Sequence, residues 1–330
     1  MKMEAFSLET WYQIMKKPLI ILTGPTAVGK TELSIKLAKA VNGEIISADS
    51  MQVYKYMDIG TAKIRPEEMV GIKHYLIDEF LPDEEFNVVK FKEYANHYMN
   101  EIYENGKIPI IVGGTGFYIQ AVLYDIDFRD TENDTSYREE LEELAKIKGS
   151  QFLHNMLKEV DEKSYLSIHG NNVKKVIRAL EYYHQTGQKI SEHNEEQRQN
   201  ESPYQFSYFV LTNDRSLLYE RIDQRVDKML GNGLIDEVKD LYYNKGYGRE
   251  LVSMQGLGYK EIIEYLEGER TLDEAIYILK RDTRHFAKRQ LTWFRREKEV
   301  SWIPKNEYED NDDFVLEAML KELRDKKIIK

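Results

Sequence analysis

Leu19-Ile20-Ile21-Leu22-Thr23-Gly24-Pro25-Thr26-Ala27-Val28-Gly29-Lys30-Thr31 decides the fold. Residues 19–23 form a short apolar run rich in β-branched side chains, the pattern of a strand buried in a parallel sheet. Gly24 to Thr31 then fits G-x-x-x-x-G-K-[ST]. The glycines let successive backbone N–H groups turn inward around phosphate oxygens. Lys30 neutralises phosphate charge, and the Thr31 hydroxyl suits Mg²⁺. Beyond it, Leu33, Leu37, Ala38 and Val41 keep helical spacing up to Gly43, which reads as the helix stop. A strand, a glycine loop and a helix therefore follow in the order that a phosphate-binding α/β core requires.

Working outward, further strands are expected at 44–49, 74–78 and 108–112, with a helix over 87–105 between the last two. From Arg129 to Glu201 the pattern is helical and charged, with segments at 137–147, 151–160 and 173–186, the last burying Val176, Ile177, Leu180 and Tyr183. A strand returns at 206–212 and two helices follow over 216–230 and 234–244. Thr271 and Glu274 make a capping box for a long helix to about Arg296, and 301–303 suit a short strand. The acidic run 307–313 reads as a solvated linker before a final amphipathic helix. The expected class is α/β: a P-loop NTPase-like parallel-sheet core with a helical insertion subdomain. Its parts are the first part of the core (1–126), the insertion (127–205), the second part of the core with a basic helix (206–305), and an acidic linker with a C-terminal helix (306–330).

Composition sets the bounds. The 330 residues include no cysteine, which excludes disulfides, Cys-based zinc fingers, iron–sulfur clusters and a Cys nucleophile. No apolar window is long enough to span a membrane. Met1 to Lys17 carries Glu4 and Glu9 and lacks the apolar core of a secretory signal, so a cytoplasmic location is expected. The net charge of −11 argues at first sight against a nucleic-acid partner. The total hides its distribution. Residues 278–298 hold eight Lys or Arg against Asp282 and Glu297, a local +6 that leaves −17 for the rest. Arg281, Lys288 and Arg295 recur every seven residues with Arg284 beside them, opposite Ile276, Leu279, Phe286 and Trp293. A helix with one packed face and one cationic face can meet a polyanion; it can equally neutralise acidic neighbours.

Other candidates come from position. A phosphate loop needs an acid nearby. Asp49 ends one strand and Asp78-Glu79 end another, and spacing alone leaves both open. Asp49 is also a natural turn residue. Gly113-Gly114-Thr115-Gly116 follows a strand, with Thr115 offering a hydroxyl or merely closing a β–α turn. Arg221, Arg225 and Lys228 share one helical face suited to pyrophosphate, or to solvent.

Several segments together resemble the bacterial tRNA dimethylallyltransferases, also called tRNA isopentenyltransferases. They are the loop 24–31, Ser47-Ala48-Asp49-Ser50-Met51-Gln52-Val53-Tyr54, Met57-Asp58-Ile59-Gly60-Thr61-Ala62-Lys63, Ile111-Val112-Gly113-Gly114-Thr115-Gly116, Arg178-Ala179-Leu180-Glu181 and Lys288-Arg289-Gln290-Leu291-Thr292-Trp293-Phe294. The resemblance runs from about Lys17 to Ile303. It implies transfer of a dimethylallyl group from dimethylallyl diphosphate, the co-substrate, to N6 of the adenosine 3′ of the anticodon, in tRNAs reading codons that begin with U. It implies catalytic roles for Asp49 (general base), Thr115 and Arg225. Diphosphate would lie on Gly24, Pro25, Thr26, Ala27, Val28, Gly29, Lys30, Thr31 and Arg221, with Mg²⁺ on Thr31. The tRNA anticodon stem-loop would meet Asp49, Ser50, Met51, Gln52, Thr115, Arg138, Lys174, Lys175, Arg178, Gln255, Arg281, Arg284 and Lys288. Lys175 stands where many members have Arg, which forfeits a bidentate fork. Alkylation of free AMP or ADP and a small-molecule kinase are the alternatives, and a monomer is expected.

Overall fold

The computed structural model describes residues 16–128, 136–197 and 199–330; most of the N-terminal stretch read as non-secretory lies outside them. Two compact units result. One holds the chain up to Leu123 together with Pro203–Lys330, and the other is Tyr124–Ser202.

The first unit is built on a six-stranded sheet: β1 (Lys17–Thr23), β2 (Gly43–Ala48), β3 (His74–Tyr75), β4 (Ile108–Gly113), β5 (Tyr204–Thr212) and β6 (Val300–Pro304). The order is β3-β2-β4-β1-β5-β6, and every pairing is parallel. β1 lies centrally between β4 and β5, and Leu19 to Leu22 are fully buried there. A parallel sheet covered on both faces needs such unbroken apolar strands. Helix α1 (Lys30–Val41) follows the glycine loop. Its C-cap is Asn42, in a left-handed conformation at φ 53°, rather than Gly43. Gly43 instead opens β2, where a Cβ would lie 2.8 Å from the Ile108 carbonyl oxygen. β3 is shorter than the expected 74–78 because Leu76 and Asp78 adopt positive φ, 60° and 57°, which breaks strand geometry. β5 starts at Tyr204 because residues 204 and 205 pair with Lys17 and Pro18.

Helices α2 (Val88–Glu104) and α3 (Gly116–Leu123) complete the N-terminal part. One core layer joins Leu33 and Leu37 of α1 to Ile20, Leu22, Phe209 and Leu211 of the sheet, and to Val315, Met319 and Leu323 of the C-terminal helix. Truncating Leu37 to alanine there costs about 2–5 kcal/mol, the usual range for a buried leucine. The C-terminal helix thus packs into this unit. The acidic run before it, expected to be a solvated linker, is solvated only in part: Glu307, Glu309 and Asp313 are exposed, but the Asp312 side chain is 13% exposed and pairs with Lys305.

In the second unit, α4 (Ser136–Lys148), α5 (Ser150–Val160), α6 (Glu162–Ser167), α7 (Val173–Thr186) and α8 (Ile190–Gln197) surround Leu141, Leu153, Leu157, Val176, Ile177 and Leu180. Tyr183, expected on that buried face, is 37% exposed. Asp161 caps α6 and is buried. It accepts hydrogen bonds from the backbone and hydroxyl of Ser164 (3.0 and 2.7 Å) and of Ser191 (3.0 and 2.7 Å). Burial favours its neutral form, but these four donors together hold the carboxyl below its ordinary range.

Candidate active site

The carboxyl edge of the sheet gathers the loops after β1, β2, β4, β5 and β6, where parallel sheets build their sites. The loop after β1 alternates backbone hands: Ala27 sits at φ 63° and Gly29 at φ 94°. That alternation turns backbone N–H groups into a common concavity, an anion-binding nest. Lys30 Nζ reaches back to the carbonyls of Gly24 (2.9 Å) and Pro25 (2.8 Å). Burial, and then the nearby Arg225, push this amine down to about 7, while Asp49 acts in the opposite direction. Val28 does not face the site with its side chain; it is fully buried in the core.

A cavity of about 480 Å³ opens above the loop. Thr26, Ala27, Gly29, Lys30 and Thr31 form one wall, and Asp49 and Gln52 another. Arg221 and Arg225 reach in from helix α9 (Arg215–Gly231). Burial also draws down the Arg225 guanidinium, with Asp49 counteracting. Lys228, expected on the same face, is exposed and away from this wall. The cavity thus sets a carboxylate beside several cations. Asp78 and Glu79 are elsewhere: Asp78 pairs with Lys63 at 2.5 Å, and Glu79 accepts from Tyr98 Oη at 2.8 Å. Of the acids left open by spacing, only Asp49 lines the cavity.

Asp49 also has the turn role. Its Oδ1 accepts from the backbone N–H groups of Met51 (2.9 Å) and Gln52 (3.4 Å). Thr115 stands next to the cavity wall at Gly114. Its hydroxyl accepts from Ser50 N at 3.3 Å and its own N–H donates to Ala48 O at 3.1 Å, so it ties the β4 loop to the β2 loop. Gln52 Nε2 donates to the carbonyls of Thr61 (3.2 Å) and Ala62 (3.4 Å).

Four features escaped the sequence reading. The first is Gln290, on helix α10 (Tyr259–Leu266)'s successor α11 (Leu272–Phe294). Its Oε1 accepts from Thr26 N (2.9 Å) and its Nε2 donates to Gly114 O (3.0 Å), bridging two site loops. The signal was a polar residue at helical spacing from buried Ala287 and Phe294. The second is the Asp310 carboxylate, which pairs with Arg221. The third is Lys305, which pairs with Asp312 at 2.7 Å.

The fourth is Glu237, on a short helix at Leu234–Lys239. Its carboxylate accepts from three consecutive backbone N–H groups, Asp58 (3.0 Å), Ile59 (2.7 Å) and Gly60 (3.0 Å), and from Tyr259 Oη (2.7 Å). A Cβ at Gly60 would lie 2.6 Å from the Tyr259 ring. Lys63 completes the knot with Asp58 (2.7 Å), Asp78 and the Tyr54 carbonyl (2.7 Å). The Asp58-Ile59-Gly60-Thr61-Ala62-Lys63 segment is therefore an architectural loop whose carbonyls orient Gln52.

The basic helix divides its cations. Arg284 pairs with Asp223 (2.5 Å) and Lys280 with Asp227 (2.6 Å), both on α9, and Arg281 with Asp282 (2.7 Å). Lys288, Arg289, Arg295 and Arg296 are exposed. Lys288 and Arg289 border a second, open hollow of about 380 Å³ with His285, Thr292, Trp293 and Arg296. Of the expected apolar stripe, Leu279 is buried, while Phe286 lines the main cavity. Gln255 is exposed and donates to the Arg249 carbonyl. Within the second unit, Arg138 forks onto Glu181 (3.1 and 2.6 Å), and Lys174, Lys175 and Arg178 occupy exposed positions of α7.

No group of three or more metal-ligating side chains occurs among the described residues. The Thr31 hydroxyl in the cavity wall is a hard oxygen donor of the kind that Mg²⁺ accepts when phosphates and waters supply its other ligands. No helix among the described residues is long and apolar enough to cross a membrane.

The chain is similar to known proteins over most of its length. A family model described as IPP transferase matches residues 52–297. A tRNA dimethylallyltransferase from Lachnoclostridium phytofermentans is 66% identical over 314 residues, 95% of this chain and 100% of the relative. One from Acetivibrio thermocellus is 55% identical over 297 residues, covering 90% and 95%. Among solved structures, the full-length tRNA isopentenylpyrophosphate transferase from Bacillus halodurans matches with TM-score 0.70 and 44% identity, over 94% of this chain and 98% of that one. A eukaryotic dimethylallyltransferase acting on tRNA matches with TM-score 0.76 and 31% identity, over 87% and 74%.

Proposed function

The chain belongs to the IPP transferase family, and from that premise we propose that it transfers a dimethylallyl group from dimethylallyl diphosphate to N6 of an adenosine in tRNA. The acceptor is the adenosine 3′-adjacent to the anticodon, in tRNAs that read codons beginning with U. The observation that carries this reading is the meeting of Lys30, Arg225 and Asp49 in one cavity. Alkyl transfer from a diphosphate ester needs cations for the leaving group and a base for the amine within reach of one another.

The N6 lone pair forms a bond to the allylic carbon as the bond from that carbon to the diphosphate oxygen breaks, its electrons leaving with diphosphate. Asp49 takes the N6 proton. Lys30, Arg225 and Arg221 balance the charge that grows on the leaving group, and the nest at 24–31 holds it. The Thr31 hydroxyl would help hold Mg²⁺, which would supply further charge neutralisation for the leaving group. An exocyclic amine is a weak nucleophile, and the target base is reachable only once it leaves the stack of the anticodon loop. Asp49, Ser50, Met51 and Gln52 receive it, with Gln52 held by the carbonyls of Thr61 and Ala62. The exposed Lys288 of α11 meets RNA phosphates, as do Lys174, Lys175 and Arg178 of the insertion and Gln255; Arg281, Arg284 and Arg138, each paired with a carboxylate, contribute less charge to that contact. With this activity go a cytoplasmic location, where a tRNA acceptor would be met, and a monomeric state.

The test is an acceptor assay. Purified protein with isotopically labelled dimethylallyl diphosphate and Mg²⁺ should label unmodified tRNA. Label on AMP with none on tRNA would overturn the proposal.

A further inference from the structure

We infer that Lys305 is an additional diphosphate-binding residue, presented to the phosphate loop by the segment that follows β6. The inference rests on the reading that the loop holds the donor's diphosphate.

Four observations place it there. Lys305 immediately follows Pro304, the last residue of β6, and so lies at the same carboxyl edge as the loop after β1. It is 4% exposed, although an ammonium on a four-carbon stem normally seeks water. Its Nζ lies so close to the phosphate loop that a Cβ at Gly29 would come within 2.8 Å of it. It lines the cavity that also contains Lys30, Thr31, Arg221 and Arg225. A buried cation against a loop of inward N–H groups is placed for an anion.

Its partners explain how it is kept there. Asp312 Oδ1 lies 2.7 Å from Nζ and Asp310 Oδ1 3.8 Å, and Asp310 also holds Arg221. Glu309 and Asp310 adopt positive φ, 55° and 54°, which folds the chain back over the cavity. Two of the site's cations are thus neutralised by carboxylates of the chain's own C-terminal segment. A diphosphate, with more charge and more oxygens than either aspartate, draws both cations toward itself. An ammonium has three donors, so Lys305 can bind phosphate while keeping Asp312.

The experiment measures binding of dimethylallyl diphosphate with Mg²⁺, without RNA, by calorimetry, alongside steady-state kinetics. Lys305→Gln should weaken donor binding and raise the donor KM at least 10-fold, with the tRNA KM unchanged, and Lys305→Arg should restore most of it. Because Lys305→Gln leaves Asp312 without its partner, Asp312→Asn supplies a second arm. Removing that negative charge should tighten donor binding about 3-fold, whereas a purely structural Lys305–Asp312 pair predicts weaker binding. Unchanged donor affinity in Lys305→Gln, or weaker binding in Asp312→Asn, overturns the inference. If the wild-type protein binds no donor, or if binding survives Lys30→Met undiminished, the diphosphate reading itself fails instead.

Discussion

Titrating Lys30 against the alkyl donor tests whether the glycine loop holds the diphosphate. Burial and Arg225 bring this amine to about 7 from its ordinary 10.5. At pH 8 only about a tenth of the free protein then carries the charge. A diphosphate beside Nζ favours the ammonium and returns its titration toward the ordinary range. Binding of dimethylallyl diphosphate at pH 8, without RNA, should therefore take up about 0.9 proton, because the donor's own phosphates are already ionised there. The same linkage makes affinity fall by about tenfold per pH unit above 7 and level off below it. In the free protein the sign is opposite. The unfolded chain binds more protons than the folded one between about 7 and 10.5, so this group adds stability as pH rises through that window. The assay is calorimetry in two buffers of different ionisation enthalpy at pH 8; the difference in heat counts the protons. Donor binding with uptake below about 0.3 proton would refute the reasoning, since the lysine would then be charged beforehand or remote from the ligand.

Replacing Asp49 by alanine should lower turnover about 100-fold or more while leaving tRNA affinity nearly intact, as single-turnover rates and filter binding would report. Glu237→Ala leaves three backbone donors and Tyr259 without their acceptor, so denaturant unfolding should show a loss of about 2–4 kcal/mol. The tRNA KM should rise as well, because the loop that orients Gln52 loosens. Gln290→Leu orphans the Thr26 N–H and the Gly114 carbonyl, and crystal structures or hydrogen exchange should show both loops more mobile. Lys288→Ala with Arg289→Ala should reduce the slope of log affinity for tRNA against log salt by about 1–2. Arg284→Ala, whose charge is already spent on Asp223, should change that slope less.

The phosphate loop was legible in the sequence because its function is local: eight consecutive residues supply the backbone hands, the lysine and the hydroxyl. Asp49 was legible only in part, because a strand-terminal acid is shared with Asp78 until three-dimensional placement separates them. Gln290 was not legible, since it meets Thr26 across 264 positions and nothing near it in the chain names its partner. Lys305 and Asp310 were hidden for a different reason. A run of acids averages to a hydrophilic linker, and only the turn at positive φ shows that two of its carboxylates face cations. Arg284 was read beside the seven-residue recurrence of Arg281, Lys288 and Arg295, and only the fold supplies its partner, Asp223 of another helix. The Asp58–Lys63 segment pointed to kinship, and its physical part, a backbone held by Glu237, appears only in the structure.

The Gln290 crosspiece gives the two substrates a common mechanical element. The helix that exposes Lys288 and Arg289 also fixes, one residue later, the loop that cradles the donor and the loop that borders the acceptor. Were bound RNA to displace that helix, both loops would shift at once, and occupancy of one substrate would be felt as a change in free energy for the other. Such coupling is reciprocal: whatever factor tRNA contributes to donor affinity, the donor returns to tRNA. In a Gln290→Leu protein that factor should approach one, even where each substrate still binds alone.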